Sequence, residues 1–275
     1  MHNTINVMKI IINADDFGKS LNRNRAIDDA FRQGLISSMG LIVTGQYLQN
    51  ALEYIEAGDY YEHVHIHLNV STNLLDENSN DKPLTEKMAE DPFFCKNGYF
   101  KPYHGLPQGW KSILKWKMVY DELVAQYKKF VEVTKGRGDA SHVDFHLWYN
   151  LTWPVSVAMR IFLKKYKIKS ARLIGMHQKH NKQYRLFSRI SSNSNLSTYP
   201  ATNIDYYISK TELFGDKNIV EFYCHPDYRN GVWLDNSPSY LKHERQSMLK
   251  QMQLLKESGP YELISWKEIS DRRTV

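Results

Sequence analysis

Cysteine is scarce in this sequence, and long apolar segments are absent. Cys95 and Cys224 are the only two cysteines, and their separation matches no spacing of a cysteine-based metal site, so we expect a reducing compartment. No apolar run is long enough to cross a bilayer, and the N-terminus lacks the basic start and the cleavage site of a signal peptide. We therefore expect a soluble, cytoplasmic protein with no stable membrane insertion.

Charge of one sign is not concentrated in any part of the chain. Lys and Arg number 36 against 30 Asp and Glu, which gives a net charge of +6, but the basic residues are scattered through mixed-sign segments. This distribution is typical of a solvated surface and disfavours a nucleic-acid partner. The sequence also has no internal repeat, low-complexity segment or linker, which predicts a single domain over residues 1–275. It leaves open whether the chain forms a homodimer.

Beta-branched runs alternate with helical patterns along most of the chain. Apolar runs such as VMKIII and NIVEFYC predict buried strands, and the segments between them, such as the one capped by Ser20, carry apolar residues at helical spacing. This order favours an α/β fold with mostly parallel strands and crossover helices, either a barrel or an open doubly wound sheet. Two polar stretches, at about 71–110 and 177–203, predict excursions over the surface.

Residues that can bind a metal ion or move a proton follow several of the predicted strands. In a parallel β/α fold such residues gather where the carboxyl ends of the strands meet. The candidates are Asp15 and Asp16 after the first strand, His63, His65 and His67 along HVHIHL, His142, Asp144 and His146 along SHVDFHL, and His225 in YCHPD.

The two-residue period of a β-strand indicates which of these candidates can reach a shared site. Residues i, i+2 and i+4 project to one face, so His67 and His146, which are nearest the strand exits, are best placed to bind an ion together with one carboxylate of the acidic pair. Asp144 lies one step earlier and would orient an imidazole. One carboxylate and two imidazoles bind Zn²⁺, Mn²⁺ or Fe²⁺ and tolerate Mg²⁺, with positions left for water and substrate. The alternatives are that NADDFG is only a turn and that His225 only marks a strand end before proline.

Four motifs in this order resemble the YdjC-like carbohydrate deacetylases, the family that includes the chitooligosaccharide deacetylases. They are NADDFG after a short first strand, HLNV at the end of a later strand, SHVDFH in mid-chain and CHP near the end, and the segment QGLISSMGLIVTGQ resembles the family as well. The resemblance implies an irregular, TIM-barrel-like (β/α) barrel with fewer than eight regular repeats. It also implies one divalent metal ion, Zn²⁺ or Mg²⁺, and hydrolysis of the acetamide bond of an N-acetylated sugar.

By motif position, the resemblance implies that Asp16, His67 and His146 bind the metal ion. Asp15 would be the general base that takes a proton from water, and His225 the general acid that protonates the departing amine. Residues expected around the ligands or against the sugar are Asp144, His142, Arg172 and Trp148. The chain reads HLWYN where family members commonly carry further histidines, so its sugar contacts differ. The acetamido sugar could belong to an oligosaccharide, a nucleotide-linked sugar or a lipid-linked sugar.

Other functions could use the same residues. A hydrolase that cleaves another amide or an ester on this scaffold would need the same ligands. A non-catalytic carbohydrate-binding relative would have lost the base or a ligand, whereas Asp15, Asp16, His67, His146 and His225 are all retained. A two-carboxylate glycoside hydrolase is disfavoured, because adjacent residues at one strand end cannot flank a glycosidic bond from opposite sides.

Overall fold

The structure is a computed structural model that describes residues 8–72, 80–102, 110–146, 152–172, 197–200, 219–235 and 261–272. Its strands are β1 (Met8–Phe17), β2 (Ser38–Leu41), β3 (Val64–Leu68), β4 (Cys95–Lys96), β5 (Tyr99–Phe100), β6 (Asp139–Phe145), β7 (Ser170–Arg172), β8 (Ser197–Pro200), β9 (Ile219–Cys224), β10 (Pro226–Arg229), β11 (Val232–Asp235) and β12 (Tyr261–Leu263). Its helices are α1 (Leu21–Arg32), α2 (Leu48–Gly58), α3 (Glu86–Glu90), α4 (Trp116–Val133), α5 (Trp153–Lys165) and α6 (Trp266–Arg272).

A parallel sheet organises these elements. Its strand order is β7-β6-β3-β2-β1-β9-β8, and β12 also pairs with β1. Each of these pairings is parallel. The prediction of a mostly parallel α/β fold is therefore confirmed. The carboxyl ends of β1, β3, β6, β7 and β9 come to the same edge of the sheet, where parallel α/β folds carry their functional residues.

Strand β1 lies at the centre of the core. Its residues Ile10, Ile11, Ile12 and Ala14 have no solvent exposure. A parallel strand that is covered on both faces reads as an unbroken apolar run, which explains the sequence KIIINA. Residues 9–14 of β1 pair with β9, residues 8–10 with β12, and the end of the strand with β2. Asp15 and Asp16 thus lie at the end of a rigid strand that is fully paired with its neighbours.

Helix α1 begins where the sequence predicted. Ser20 is the N-cap, with extended backbone, and its side chain accepts a hydrogen bond from the backbone N–H of Arg23 at 3.1 Å. Ala26, Ile27 and Ala30 are buried against the sheet. The cap therefore fixes the first turn of α1 directly after NADDFG, beside the carboxyl end of β1.

The segments predicted as excursions contain regular structure where they are described. The first includes α3 and the antiparallel pair β4–β5. Glu122 on α4 is fully buried and holds this segment, since its carboxylate accepts hydrogen bonds from the backbone N–H groups of Leu84 and Thr85 at 2.9 and 2.8 Å. In the second segment, β8 joins the parallel sheet beside β9. The rest of 177–203 lies outside the described residues.

The chain after His225 differs from the expected strand end. Pro226 starts β10, which forms an antiparallel hairpin with β11. Proline is tolerated at the first position of a strand, because its missing N–H is not needed there. Asp227 on this hairpin lies 4.0 Å from the Arg23 guanidinium of α1, so the hairpin packs beside the functional edge of the sheet. The sequence SYLKHERQSMLKQMQLLKES at 239–258 has the pattern of a helix, but it lies outside the described residues.

Candidate metal centre

The end of β1 turns sharply at the acidic pair. The register with β2 shifts between Ala14 and Phe17, and Asp16 has a φ of 70°. Gly18 follows with a φ of 100°, and a Cβ there would lie 2.8 Å from the carbonyl oxygen of Ile42, so only glycine fits. Because of this bend, the two neighbouring carboxylates contact different partners. Because each carboxylate has its own partners, the repulsion between two adjacent acids is offset.

Asp16 converges with two histidines from other strands. Its Oδ1 lies 2.7 Å from Nδ1 of His146 and 3.4 Å from Nε2 of His67. The three candidate ligand atoms lie within 4.8 Å of one another, and all three residues are buried, at 2%, 1% and 3% exposure for Asp16, His67 and His146. A carboxylate oxygen and two imidazole nitrogens are a donor set that fits a divalent cation. These residues could therefore hold a metal ion.

Asp144 determines which nitrogen of His67 faces this cluster. Its Oδ1 lies 2.5 Å from Nδ1 of His67, so Nε2 is the nitrogen directed toward Asp16. Burial lowers the pKa of His67, but the nearby Asp144 carboxylate and its hydrogen bond raise it to about 10. Without an ion His67 is therefore protonated, and a metal ion that binds Nε2 would displace a proton. The prediction that Asp144 orients an imidazole agrees with this contact.

Two basic side chains of the α1 region lie against the same cluster. Arg23 donates to Oδ2 of Asp16, and Nζ of Lys19 lies 3.0 Å from Nε2 of His146. Burial would raise the pKa of Asp16, but His146, Arg23 and Lys19 together hold it well below its ordinary value. Burial and the Lys19 charge lower the pKa of His146. Asp16 is thus an ionised carboxylate and His146 a neutral imidazole, which are the forms that bind metal ions.

Asp15 lies beside the same cluster, and one of its carboxylate oxygens lies within 4.8 Å of a ring nitrogen of His67. Its Oδ1 accepts hydrogen bonds from Nδ2 of Asn13 at 2.6 Å and from Nη2 of Arg172 at 2.5 Å. Its Oδ2 lies 3.7 Å from Nε2 of His225. The residues predicted as general base and general acid are therefore neighbours, and the His225 side chain keeps 17% exposure toward the outside.

A second group of acid and imidazoles lies deeper between the strands. His65, His142 and Asp144 also have candidate ligand atoms within 4.8 Å of one another. Nη2 of Arg172 lies 2.5 Å from Oδ2 of Asp144. His142 stacks on Trp266, with ring centroids 3.6 Å apart and planes 7° from parallel. This group contacts the cluster above it through Asp144, whose Oδ1 lies 2.5 Å from Nδ1 of His67.

Sequence reasoning missed five residues of the site, and part of the prediction lies outside the described chain. The missed residues are Asn13, Lys19, Arg23, Gly40 and Glu221. Lys19 directly follows NADDFG and Arg23 lies in the first turn of α1, but neither belongs to a motif of its own. Trp148, expected against the sugar, lies outside the described residues.

The family model described as YdjC-like protein matches residues 9–258. The chain belongs to the YdjC-like family. This confirms the resemblance seen in the four motifs, and the matched region includes all the candidate site residues.

Curated relatives of this YdjC-like protein carry a common description. One named carbohydrate deacetylase 2, from Listeria innocua serovar 6a, is 28% identical over 275 residues, which span 95% of this chain and 99% of the relative. Another, named carbohydrate deacetylase, from Danio rerio, is 29% identical over 145 residues, or 51% of this chain and 40% of the relative.

A solved structure supports the fold. The crystal structure of a candidate cellobiose-phosphate cleavage protein from Enterococcus faecalis V583 superposes with a TM-score of 0.66 at 18% identity, over 96% of this chain and 99% of that one. At this identity the likeness establishes the fold alone. Among the described residues, we find no helix that combines the length and the apolar character needed to span a membrane.

Proposed function

We propose that this YdjC-like protein is a metal-dependent carbohydrate N-deacetylase, which hydrolyses the acetamide C–N bond of an N-acetylated sugar to give an amino sugar and acetate. The observation that carries the proposal is the buried cluster of Asp16, His67 and His146 with Asp15 and His225 directly beside it. The two relatives named carbohydrate deacetylase support the same reaction.

Asp16, His67 and His146 would hold one divalent cation, for which two imidazoles favour Zn²⁺ over Mg²⁺. Such a cation supplies Lewis acidity, which polarises a carbonyl and lowers the pKa of water. The neutral His146 and the ionised Asp16 are ready to bind it, whereas His67 must first release the proton that Asp144 stabilises.

The chain's own acid and base would complete the reaction. Asp15 takes a proton from the attacking water through Oδ2, because Asn13 and Arg172 already occupy its Oδ1. His225, 3.7 Å from that oxygen, donates a proton to the departing amine, since an amide anion is too poor a leaving group to depart unprotonated. The cytoplasmic location stays a prediction.

The test is acetate release from a panel of N-acetylated oligosaccharides, nucleotide-linked sugars and lipid-linked sugars, with O-acetylated sugars included. We expect acetate from at least one N-acetylated substrate, its loss on chelation, and its recovery on addition of Zn²⁺. Asp15→Asn should abolish turnover with the metal ion retained, whereas the control Asp139→Asn, at the amino end of β6, should leave turnover unchanged. Acetate from O-acetylated substrates alone would identify an esterase, and no hydrolysis at all would favour a binding protein.

A further inference from the structure

Glu221 is a buried carboxylate that the motifs of the chain do not explain. It lies in the middle of β9, in register with Ile11 of β1, and its solvent exposure is 0%. Its Oε1 lies 3.2 Å from Nη1 of Arg172, which is a charge contact without the alignment of a hydrogen bond. A buried carboxylate is costly unless a partner of opposite charge lies beside it, and Arg172 is that partner.

Arg172 is shared among carboxylates from three other strands. Its Nη2 lies 2.5 Å from Oδ1 of Asp15 and 2.5 Å from Oδ2 of Asp144, while Nη1 faces Glu221. The guanidinium is planar and presents its donors in a fixed fork, so holding one end of the fork sets the direction of the other. Glu221 is thus placed to fix the position from which Arg172 reaches Asp15.

The contacts of Asp15 show how the position of Arg172 affects the Asp15 carboxylate. Asp15 and Asp144 would repel each other if nothing lay between them, and Nη2 of Arg172 bridges the two. The bridge occupies Oδ1 of Asp15, which leaves Oδ2 as the oxygen directed toward His225. Turning the carboxylate away from this orientation would remove the base from the water that it has to deprotonate.

We infer that Glu221 and Arg172 form a buried ion pair that positions the Asp15 carboxylate for catalysis. This inference rests on the proposed function and deepens it. Glu221 acts through Arg172, and the guanidinium of Arg172 contacts the carboxylates of Asp15, Asp144 and Glu221. Both are positioning residues rather than catalytic ones.

The test compares Glu221→Gln, Arg172→Lys, Arg172→Gln and the double variant Glu221→Gln/Arg172→Gln in the metal-loaded enzyme. A displaced catalytic group costs about 100-fold in rate, so we expect kcat to fall about 100-fold in Arg172→Gln and about 10-fold in Glu221→Gln. KM should change by less than about 3-fold, and the bound metal should stay at the wild-type level, because the ligands are untouched. Arg172→Lys keeps the charge but loses the fork, so it should not restore kcat.

Two further results separate positioning from general stability. If Glu221 acts only through Arg172, the double variant should be no slower than Arg172→Gln alone. The matched control is Glu122→Gln, which alters another fully buried glutamate, bonded to Leu84, Thr85 and Gln126 rather than to a site residue, and should leave kcat unchanged. Three results would each overturn the inference. They are a wild-type kcat in Glu221→Gln, a loss of activity that appears in KM or in metal content rather than in kcat, and losses of kcat that multiply in the double variant.

Crystal structures of metal-loaded Glu221→Gln and wild-type protein test this inference independently of the proposed function. We expect Nη2 of Arg172 to leave its place between Asp15 and Asp144 in the variant. If it stays there, the inference is wrong whatever the reaction is. If wild-type enzyme releases no acetate from any substrate while the structures show Arg172 displaced, the proposed function fails and the positioning of Asp15 stands.

Discussion

Replacing Asp144 by asparagine tests how the deeper residues control the metal centre. The fully buried Asp144 carboxylate accepts from His67 through Oδ1 and from Arg172, His65 and Asn13 through Oδ2. Burial would raise its pKa, but His67, His65 and Arg172 hold it well below the ordinary value, so the native group is an anion. Asn keeps the shape of this group and removes its charge.

The amide cannot satisfy both sides of the site. If its oxygen turns toward Arg172, its NH₂ group meets Nδ1 of His67, and the imidazole must then carry its proton on Nε2, which removes the lone pair that faces Asp16. If its oxygen turns toward His67, its NH₂ group meets the donors of Arg172. In either orientation a donor opposes a donor or the metal-binding nitrogen is lost.

Both stability and metal affinity should fall in Asp144→Asn. Loss of a group that orients a ligand lowers metal affinity about 10- to 100-fold. Breaking a buried ion pair costs about 3–5 kcal/mol, and the lower end, about 3 kcal/mol, applies here because Arg172 keeps Asp15 and Glu221. Urea unfolding in the presence of chelator measures the stability change, and competition with a fluorescent chelator measures the affinity for Zn²⁺.

The control for this variant is again Glu122→Gln. It disturbs a buried carboxylate with four hydrogen bonds, so it should lower the free energy of unfolding and leave the Zn²⁺ affinity unchanged. Wild-type Zn²⁺ affinity in a folded Asp144→Asn protein would refute the argument that Asp144 sets the tautomer of His67.

Two further variants and one chemical modification test separate parts of the structure. Gly40→Ala would place a Cβ 3.2 Å from Nδ1 of His67. We therefore expect about 1–3 kcal/mol of destabilisation in urea unfolding and weaker Zn²⁺ binding in chelator competition. Unchanged Zn²⁺ affinity would mean that the His67 ring can shift without cost. Ser20→Ala removes the N-cap of α1 and should cost about 1 kcal/mol in thermal unfolding, whereas a loss near zero would mean that the hydrogen bond to Arg23 contributes little. Burial and two nearby carboxylates raise the pKa of Cys95 to about 12, so iodoacetamide at pH 8 should modify it only in denatured protein, and rapid modification of the native protein would contradict that burial.

The convergence of His67 and His146 with the acidic pair could be predicted because it depends on topology, whereas the choice of Asp16 within that pair came from the resemblance of NADDFG to the family motif. Parallel strands bring their carboxyl ends to one edge, and the two-residue period of a strand selects which side chain reaches that edge. The same period placed Asp144 one step below and predicted its contact with an imidazole. The roles of these residues in binding and catalysis stay predictions.

The sequence could not identify Glu221, Lys19 or Arg23 as part of the site. A single glutamate in IVEFYC reads equally well as an outward-facing residue, and its charge contact with Arg172 is visible only in the folded structure. Lys19 and Arg23 look like surface residues of an amphipathic helix, whereas the bend at Asp16 brings them against the cluster. Long-range charge pairing leaves no periodic signal in a sequence.

Strands β8 and β10 were missed for a related reason. The sequence around β8 is polar, and strand pairing at that position depends on the neighbouring β9 rather than on an apolar run. Pro226 indicated a strand end, yet proline also fits the first position of a new strand, which is where β10 begins.

The central claim, that Asp16, His67 and His146 bind one ion together, is tested most directly by counting metal ions in purified protein. Plasma mass spectrometry on wild type after loading with Zn²⁺ and dialysis should give about one ion per chain, as expected for a site with three protein ligands. His146→Ala should lose the ion, whereas the control His63→Ala, directly before β3, should keep it. Full Zn²⁺ content in folded His146→Ala would contradict the account.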